Sequence, residues 1–468
     1  MMPRKNKICT LLVAFLCLLV AFQPAAALTI GEEREIGQKL LYTIRSHFKL
    51  LDDPDIAQYI NNLGQKILAE AGPQYFDYHF FVVPSDEFNA FAAPSGLIFF
   101  YTGLIETMKT EDELLSVMAH EIGHVVSRHI SSRSSKGGKV SAISMALALA
   151  SLALGDPSLS AGLFTGFQAA GLSAELHFSR VDEEEADRLS YDWMKSLHRD
   201  PRAMESMLGT MRRITRYRSE QIPQYLLTHP NPEARLQYVQ SLLDYEENKN
   251  MQEYRETDNF DFLRIKYRIL ISVKDQHKVR AYLANTLASS NNPEDRAMAT
   301  YGLALLQARE LNFSQALENL AAVKKHFPDR TVLDIDTGIL YLDSGENETG
   351  LALLEKAYQK EPENMYAAFH LARAYEKKGQ VGLAESLYTR IVKVLPENSQ
   401  VYFELGRIKA GSGRTGESNY YLGKYYLYEG KSELARDYFL QVKADSSVPH
   451  SLRQEAEELL SLIDELEK

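Results

Sequence analysis

Cysteine is almost absent from this chain: its 468 residues hold two, Cys9 and Cys17. Both fall within the first 27 residues, so the remainder has no disulfide framework, and it is long enough to build a core without one. A basic block is missing as well. Lys and Arg number 52 against 63 Asp and Glu, for a net charge of −11, and loss of Arg4, Lys5 and Lys7 would make the remainder more acidic still. An acidic chain without a basic patch lacks the electrostatic footprint of nucleic-acid binding, and no nucleic-acid partner is expected. The apolar run Ile8–Phe22 is short for a membrane span, which needs about 20 residues. With the basic Arg4, Lys5 and Lys7 before it and Ala25-Ala26-Ala27 after it, the run reads as a secretory leader over 1–27, cleaved near Ala27. Cys17 lacks the small-residue context of a lipidation site.

The length suggests at least two domains, and the composition changes near residue 250. The expected division is 28–250 and 251–468, with a fragment ending near 250 able to fold alone. In the first part, Ile30–Phe48 and Pro54–Ala71 read as amphipathic helices. Tyr78–Pro84, Asn89–Gly96 and Leu97–Tyr101 read as extended segments, with Pro94-Ser95-Gly96 as the turn of a hairpin. Thr110-x-x-Glu113 is a capping box that starts a further helix.

That helix carries His120-Glu121-Ile122-Gly123-His124. Residues four apart share a helical face, so His120 and His124 can present two imidazole nitrogens to one Zn²⁺. Glu121 is rotated by about 100°, which suits a base acting on water beside the metal rather than a ligand. The surrounding Leu114, Leu115, Val117, Met118, Ile122, Val125 and Val126 make the helix a buried one, and buried histidines need partners. A catalytic zinc takes three protein ligands. The third is sought in Val181-Asp-Glu-Glu-Glu-Ala-Asp187. The face of Glu183 continues as Ala186, Asp187, Ser190, Trp193, Met194 and Leu197 and points inward. That of Glu184 continues as Arg188, Tyr191 and Lys195 and reads as solvated. Glu183 is therefore the better ligand, and Asp187, one turn on, can fix the far nitrogen of a ligating histidine.

These motifs resemble the M48 zinc metallopeptidases: His120-Glu-Ile-Gly-His124, then Glu183-x-x-Ala-Asp187, with Asn89-Ala-Phe-Ala92, Gly96 and Gly103-Leu104 upstream. The resemblance spans about residues 30–245. It implies an α+β, zincin-like metallopeptidase domain, mostly helical with a small sheet. It also implies one zinc ion held by His120, His124 and Glu183, with Glu121 as catalytic base and Asp187 as its outer support. Asn89, Ala90, Phe91 and Ala92 form a candidate edge to which substrate adds as a strand.

Three features stand beside the motif. Lys139–Gly171 is rich in Ala, Leu, Ser and Gly. It reads as a small-residue helix and loop near the cleft, with peripheral membrane association as the alternative. His229, in Leu227-Thr-His-Pro-Asn-Pro232, is either a surface turn or a group reaching the open zinc position or the substrate. His129, five residues past His124, points to a different face and reads as structural.

From about 255 the chain is all helix with a period. Pro328, Pro362 and Pro396 are 34 apart, as are Gly345 and Gly379. Ala304, Gly338 and Ala372 occupy the small position of the first helix, and Tyr341 and Tyr375 follow. This pattern resembles the tetratricopeptide repeat and predicts an all-α solenoid with a concave binding face. Phe260–Ser289 is expected to add a degenerate hairpin, and the residues after His450 a polar capping helix. Irregular spacing around Gly411–Gly416 leaves the stacking there open.

A peptidase joined to such repeats resembles the exported branch of the family. That resemblance implies a periplasmic zinc endopeptidase acting on unfolded or misfolded outer-membrane proteins, with repeats that engage substrate or the outer-membrane barrel-assembly machinery. The competing reading is a chaperone or assembly factor that works through its repeats, with the zinc site latched or silent. In a third, the repeats only stabilise the peptidase.

Overall fold

The structure is a computed structural model that describes residues 28–47, 49–134, 178–217, 224–247, 254 and 257–466. The expected leader, the Lys139–Gly171 segment and the division at 250/251 lie outside the described residues. Among those described, no helix is long and apolar enough to cross a membrane.

The first part opens with α1 (Ile30–His47) and α2 (Pro54–Ala71). Asp53 caps α2 by accepting from Asp55 N and Ile56 N, Pro54 fills its first turn, and Gly72 at φ 78° ends it. Three strands follow: β1 (His79–Val83), β2 (Ala90–Ala93) and β3 (Leu97–Tyr101). β2 and β3 form the expected hairpin, antiparallel with Ala90 opposite Phe100, and Ser95 at φ 70° and Gly96 at φ 80° make the turn. β1 lies parallel to β3 on its other side, so the order is β1-β3-β2. Period-2 alternation sends Phe80, Val82, Ala90, Ala92, Ile98 and Phe100 toward α2 and the helix of the His-Glu motif. The residues between them, including Phe81, Phe91, Phe99 and Tyr101, meet Ile36, Leu40 and Ile44 of α1. Both faces are covered, which is why these strands are apolar almost throughout.

The chain continues through α3 (Thr102–Thr107), α4 (Glu111–Val126), α5 (His129–Ser134), α6 (Arg180–Ser196), α7 (Arg202–Tyr217), α8 (Gln224–Thr228) and α9 (Pro232–Glu247). Next comes α10 (Phe260–Val273), which is apolar on two sides. Phe262, Ile265 and Ile269 enter the core built on α2, α4 and the sheet. Phe260, Tyr267, Leu270 and Ile271 enter the core of the repeats. α10 is thus shared between the two cores, and a chain ended near 250 would lose its contribution to the first.

The repeats are helical hairpins: α11 (Gln276–Ser289), then the pairs α12 (Pro293–Arg309) with α13 (Phe313–His326), α14 (Thr331–Asp343) with α15 (Asn347–Lys360), α16 (Met365–Lys377) with α17 (Val381–Val394), and α18 (Ser399–Gly411) with α19 (Thr415–Tyr428). α20 (Ser432–Ala444) and the closing α21 (His450–Leu466) complete them. Stacking is continuous through Gly411–Gly416: Gly413, at φ 73°, takes the left-handed turn position 34 residues after Gly379.

The peptidase is gripped by repeat turns one period apart. Gln58 Nε2 on α2 donates to Glu363 O at 2.6 Å, and Met365 N donates back to Gln58 Oε1 at 2.8 Å. Arg45 of α1, itself buried, donates to Glu397 O at 3.0 Å and Tyr428 O at 2.6 Å. Deeper in, Arg264 and Arg268 of α10 pair with Asp55, and Tyr301 and Tyr366 donate to the buried Asp336.

Candidate active site

α4 starts as the sequence implies. Thr110 accepts from Glu113 N at 3.3 Å, although the Glu113 carboxylate returns to Lys109 N rather than to Thr110. Every residue from Glu111 to Val125 is buried. The glycine inside the motif sets the distance to α6. A Cβ on Gly123 would lie 3.2 Å from Ala186 Cα, so any larger residue there would need the two helices to give by a few tenths of an ångström. α6 begins with a capping box between Ser179 and Asp182. Glu183 and Asp187 then fall one turn apart on its buried side, while Glu184 turns out to Arg180. Tyr191, expected on the solvated face, is 3% exposed, because it packs into the same core as Trp193 and Met194 and its hydroxyl donates to Leu242 O at 3.3 Å.

Four donors converge: His120, His124, Glu183 and His229, with ligand atoms within 4.8 Å of one another. His120 Nε2 and His124 Nε2 are 3.0 Å apart, and each lies 3.5 Å from a Glu183 oxygen. His229 Nδ1 lies 3.0 Å from Glu183 Oε1 and 3.3 Å from His120 Nε2. His229 thus belongs to the cluster and is no surface turn. Asn231 at φ 60° bends the chain there, Pro232 opens α9, and the His229 ring stacks on Tyr225 at 4.3 Å. Glu121 is fully buried, and neither of its carboxylate oxygens has a hydrogen-bond partner among the described residues; His229 Nε2 is 3.4 Å away.

The outer contacts set the tautomers. His120 Nδ1 lies 2.9 Å from Asp187 Oδ1. Arg235 Nη2 is 3.2 Å from the same nitrogen, but two donors do not bond, so Asp187 is the acceptor. Arg235 binds Asp187 through both oxygens at 2.9 and 2.7 Å, and its Nη1 lies 2.9 Å from Glu183 Oε2. Burial works to raise Glu183, but His229 and Arg235 hold it well below the usual carboxylate range. Asp187 is likewise held down by Arg235 and His120 against its burial. Burial, with His120 alongside, pushes His124 well below an ordinary histidine. Burial and Arg235 oppose a charge on His120, yet Asp187 and Glu183 outweigh them and push it up to about 9.

This donor set fits a cation. Two imidazole lone pairs and a carboxylate aimed at one point repel unless positive charge sits between them. Tetrahedral zinc bonds of 2.0–2.1 Å put ligand nitrogens about 3.3 Å apart, close to the separations here.

Residues 54–243 match the peptidase family M48, and residues 341–407 match a tetratricopeptide repeat. A beta-barrel assembly-enhancing protease of Escherichia coli is 31% identical over 372 residues, 78% of this chain and 74% of that one. The chain belongs to peptidase family M48. The Yersinia pestis protein of the same name is 29% identical over 83% of this chain and 79% of its own. The mitochondrial metalloendopeptidase OMA1 of Schizosaccharomyces pombe is 29% identical over 40% of this chain and 52% of its own. This M48 peptidase is a metalloendopeptidase with tetratricopeptide repeats.

Its sequence-predicted residues fall into two groups. His120, His124, Glu183, Asp187, Glu121 and His229 meet in one place. Asn89–Ala92 is not among the converging side chains: β2 is the outer strand of the sheet and packs against α4, the helix that carries His120 and His124. Two neighbours escaped the sequence reading. Arg235 had a signal, an arginine on the buried stripe of α9 beside Leu236 and Val239. His129 had none. Five residues past His124 on an unbroken helix it would face away, but α4 ends at Val126, and Arg128 at φ 52° swings His129 back against His124.

Proposed function

We propose that this M48 peptidase is an exported, periplasmic zinc endopeptidase that cleaves misfolded or stalled outer-membrane proteins. Its repeats bind substrate or the barrel-assembly machinery. The observation that carries the catalytic part is the buried cluster of four side chains that could hold a metal, beside Glu121, whose oxygens have no hydrogen-bond partner among the described residues. The names of the relatives carry the rest.

In this reading His120, His124 and Glu183 hold the zinc. Bound there, zinc supplies Lewis-acid polarisation of the scissile carbonyl and makes water a better nucleophile. Glu121 takes the proton of the attacking water and returns it to the leaving amine, a role that needs free oxygens. Asp187 holds the Nδ1 proton of His120, so its Nε2 lone pair stays on the metal side. Arg235 offsets the charge of the two carboxylates. The outer edge of β2, which pairs with no further strand among the described residues, is the edge to which an extended substrate strand adds.

His229 favours a second state of the same enzyme. With Nδ1 in the cluster and Nε2 beside Glu121, it stands where water and the substrate carbonyl would enter. We read this as a latched resting form, which also accommodates an assembly-factor role between cleavage events. The test is Glu121→Gln. The variant should keep one zinc per chain and lose cleavage of an unfolded substrate protein, whereas Glu183→Ala should lose zinc and Glu184→Ala should not. Turnover by Glu121→Gln equal to that of the unaltered enzyme would remove Glu121 from the mechanism.

A further inference from the structure

The two histidines of α4 are supported unequally. His120 hands its Nδ1 proton to a carboxylate, Asp187. Among the described residues, His124 has no carboxylate at its Nδ1. Its Nδ1 lies 2.9 Å from Nδ1 of His129, which is 3% exposed. With His124 Nε2 turned to the cluster, its proton sits on Nδ1 and needs an acceptor. His129 can accept only through an unprotonated Nδ1, which places its own proton on Nε2. That nitrogen faces Glu185 Oε2 at 3.4 Å, with Asp182 Oδ1 at 4.0 Å. Ser127 donates to the other Glu185 oxygen at 2.9 Å and steadies it. The backbone builds the arrangement: Arg128 takes a left-handed conformation between α4 and α5, and its guanidinium is tied to buried Glu33 and to Leu28 O.

We infer that His129 is the positioning residue of His124, accepting its Nδ1 proton and thereby aiming its Nε2 at the metal, with Glu185 fixing the tautomer of His129. The inference rests on the reading that His124 is a ligand. It also separates the two histidines chemically. A carboxylate acceptor makes His120 the more electron-rich ligand, and a neutral imidazole acceptor leaves His124 the weaker one.

The experiment compares His129→Asn with His129→Leu. The two side chains are close in shape, but only asparagine offers an acceptor. Zinc affinity is measured by chelator competition on the full chain, with thermal unfolding as the check on folding. The leucine variant should bind zinc about 10–100-fold more weakly than the unaltered protein, the usual effect of losing an outer partner. The asparagine variant should recover most of that loss. Equal affinities for the two variants overturn the inference, because a packing role does not distinguish them. Should the leucine variant not fold, Glu185→Ala at an exposed site decides: zinc binding weakened about threefold or more supports the relay, and unaltered affinity overturns it. His124→Ala is the separate control. If it keeps full zinc affinity, the ligand assignment fails, whatever the His129 variants do.

Discussion

Arg235→Met should make the fold of this enzyme depend on its metal. Arg235 is 5% exposed and neutralises two buried carboxylates, Asp187 through both oxygens and Glu183 at 2.9 Å. In the metal-free protein its loss leaves buried negative charge unpaired, which costs about 3–5 kcal/mol. With zinc bound, the cation compensates Glu183. What remains is the loss of charged hydrogen bonds to Asp187, roughly 1.5–3 kcal/mol. The difference, about 2 kcal/mol, widens the gap in melting temperature between zinc-loaded and chelator-treated protein by about 4–8 °C, at 2–4 °C per kcal/mol. The sign is the informative part. A cation removed from beside a metal site should not loosen the metal; it should leave the metal with more to offset. The assay is thermal unfolding of both proteins, each with excess zinc and with chelator. An unchanged gap would refute the charge argument, and a narrower one would mean that Arg235 acts mainly by orienting the ligands.

If His229 latches the resting site, His229→Ala raises basal cleavage of an unfolded protein at unchanged zinc content, and a fall in rate would make it a transition-state contact instead. Gly123→Ala forces α4 and α6 apart at Ala186, at a cost of about 1–3 kcal/mol; because α6 carries Glu183 and Asp187, zinc affinity should fall together with the melting temperature, and unchanged affinity would refute the link. Lys266 is buried, donates to Met108 O at 2.7 Å, and is pushed by burial from 10.5 down to about 8. Between pH 8 and 10.5 the folded chain therefore holds fewer protons than the unfolded one, so stability relative to Lys266→Met should rise with pH across that window; a flat difference in unfolding free energy would contradict it. A chain ended at 250 loses Phe262, Ile265 and Ile269 from the peptidase core, each worth about 1.5–3 kcal/mol, and should show no cooperative unfolding transition, whereas one sharp transition would show that the core closes without α10.

The site was legible where chemistry is local to a helix. His120 and His124 lie four apart, and Glu183 and Asp187 lie four apart, so each pair could be placed on a face without knowing the other. The three extended segments and the turn at Pro94-Ser95-Gly96 were legible because they too are local to the chain. What escaped depends on breaks in periodicity. One left-handed residue, Arg128, returns His129 to His124. Arg235 reaches Asp187 from 48 residues away. The parallel pairing of β1 with β3 skips the strand between them in the chain. The sharing of α10 between two cores escaped for a similar reason. α10 is apolar on two sides, and a helix of that kind belongs to two cores at once, but the repeat period drew it into the second alone.

The grip of the repeats on α1 and α2 uses Glu363 and Glu397, equivalent turns of successive units. The peptidase surface therefore acts as a ruler with marks one repeat apart. A unit deleted between these turns would put the wrong side chains opposite Gln58 and Arg45 and cost both contacts. A unit appended beyond the last grip, at Tyr428, would disturb neither. Length variation in proteins built this way should accumulate at the distal end of the solenoid, leaving the portion that holds the peptidase at a fixed count.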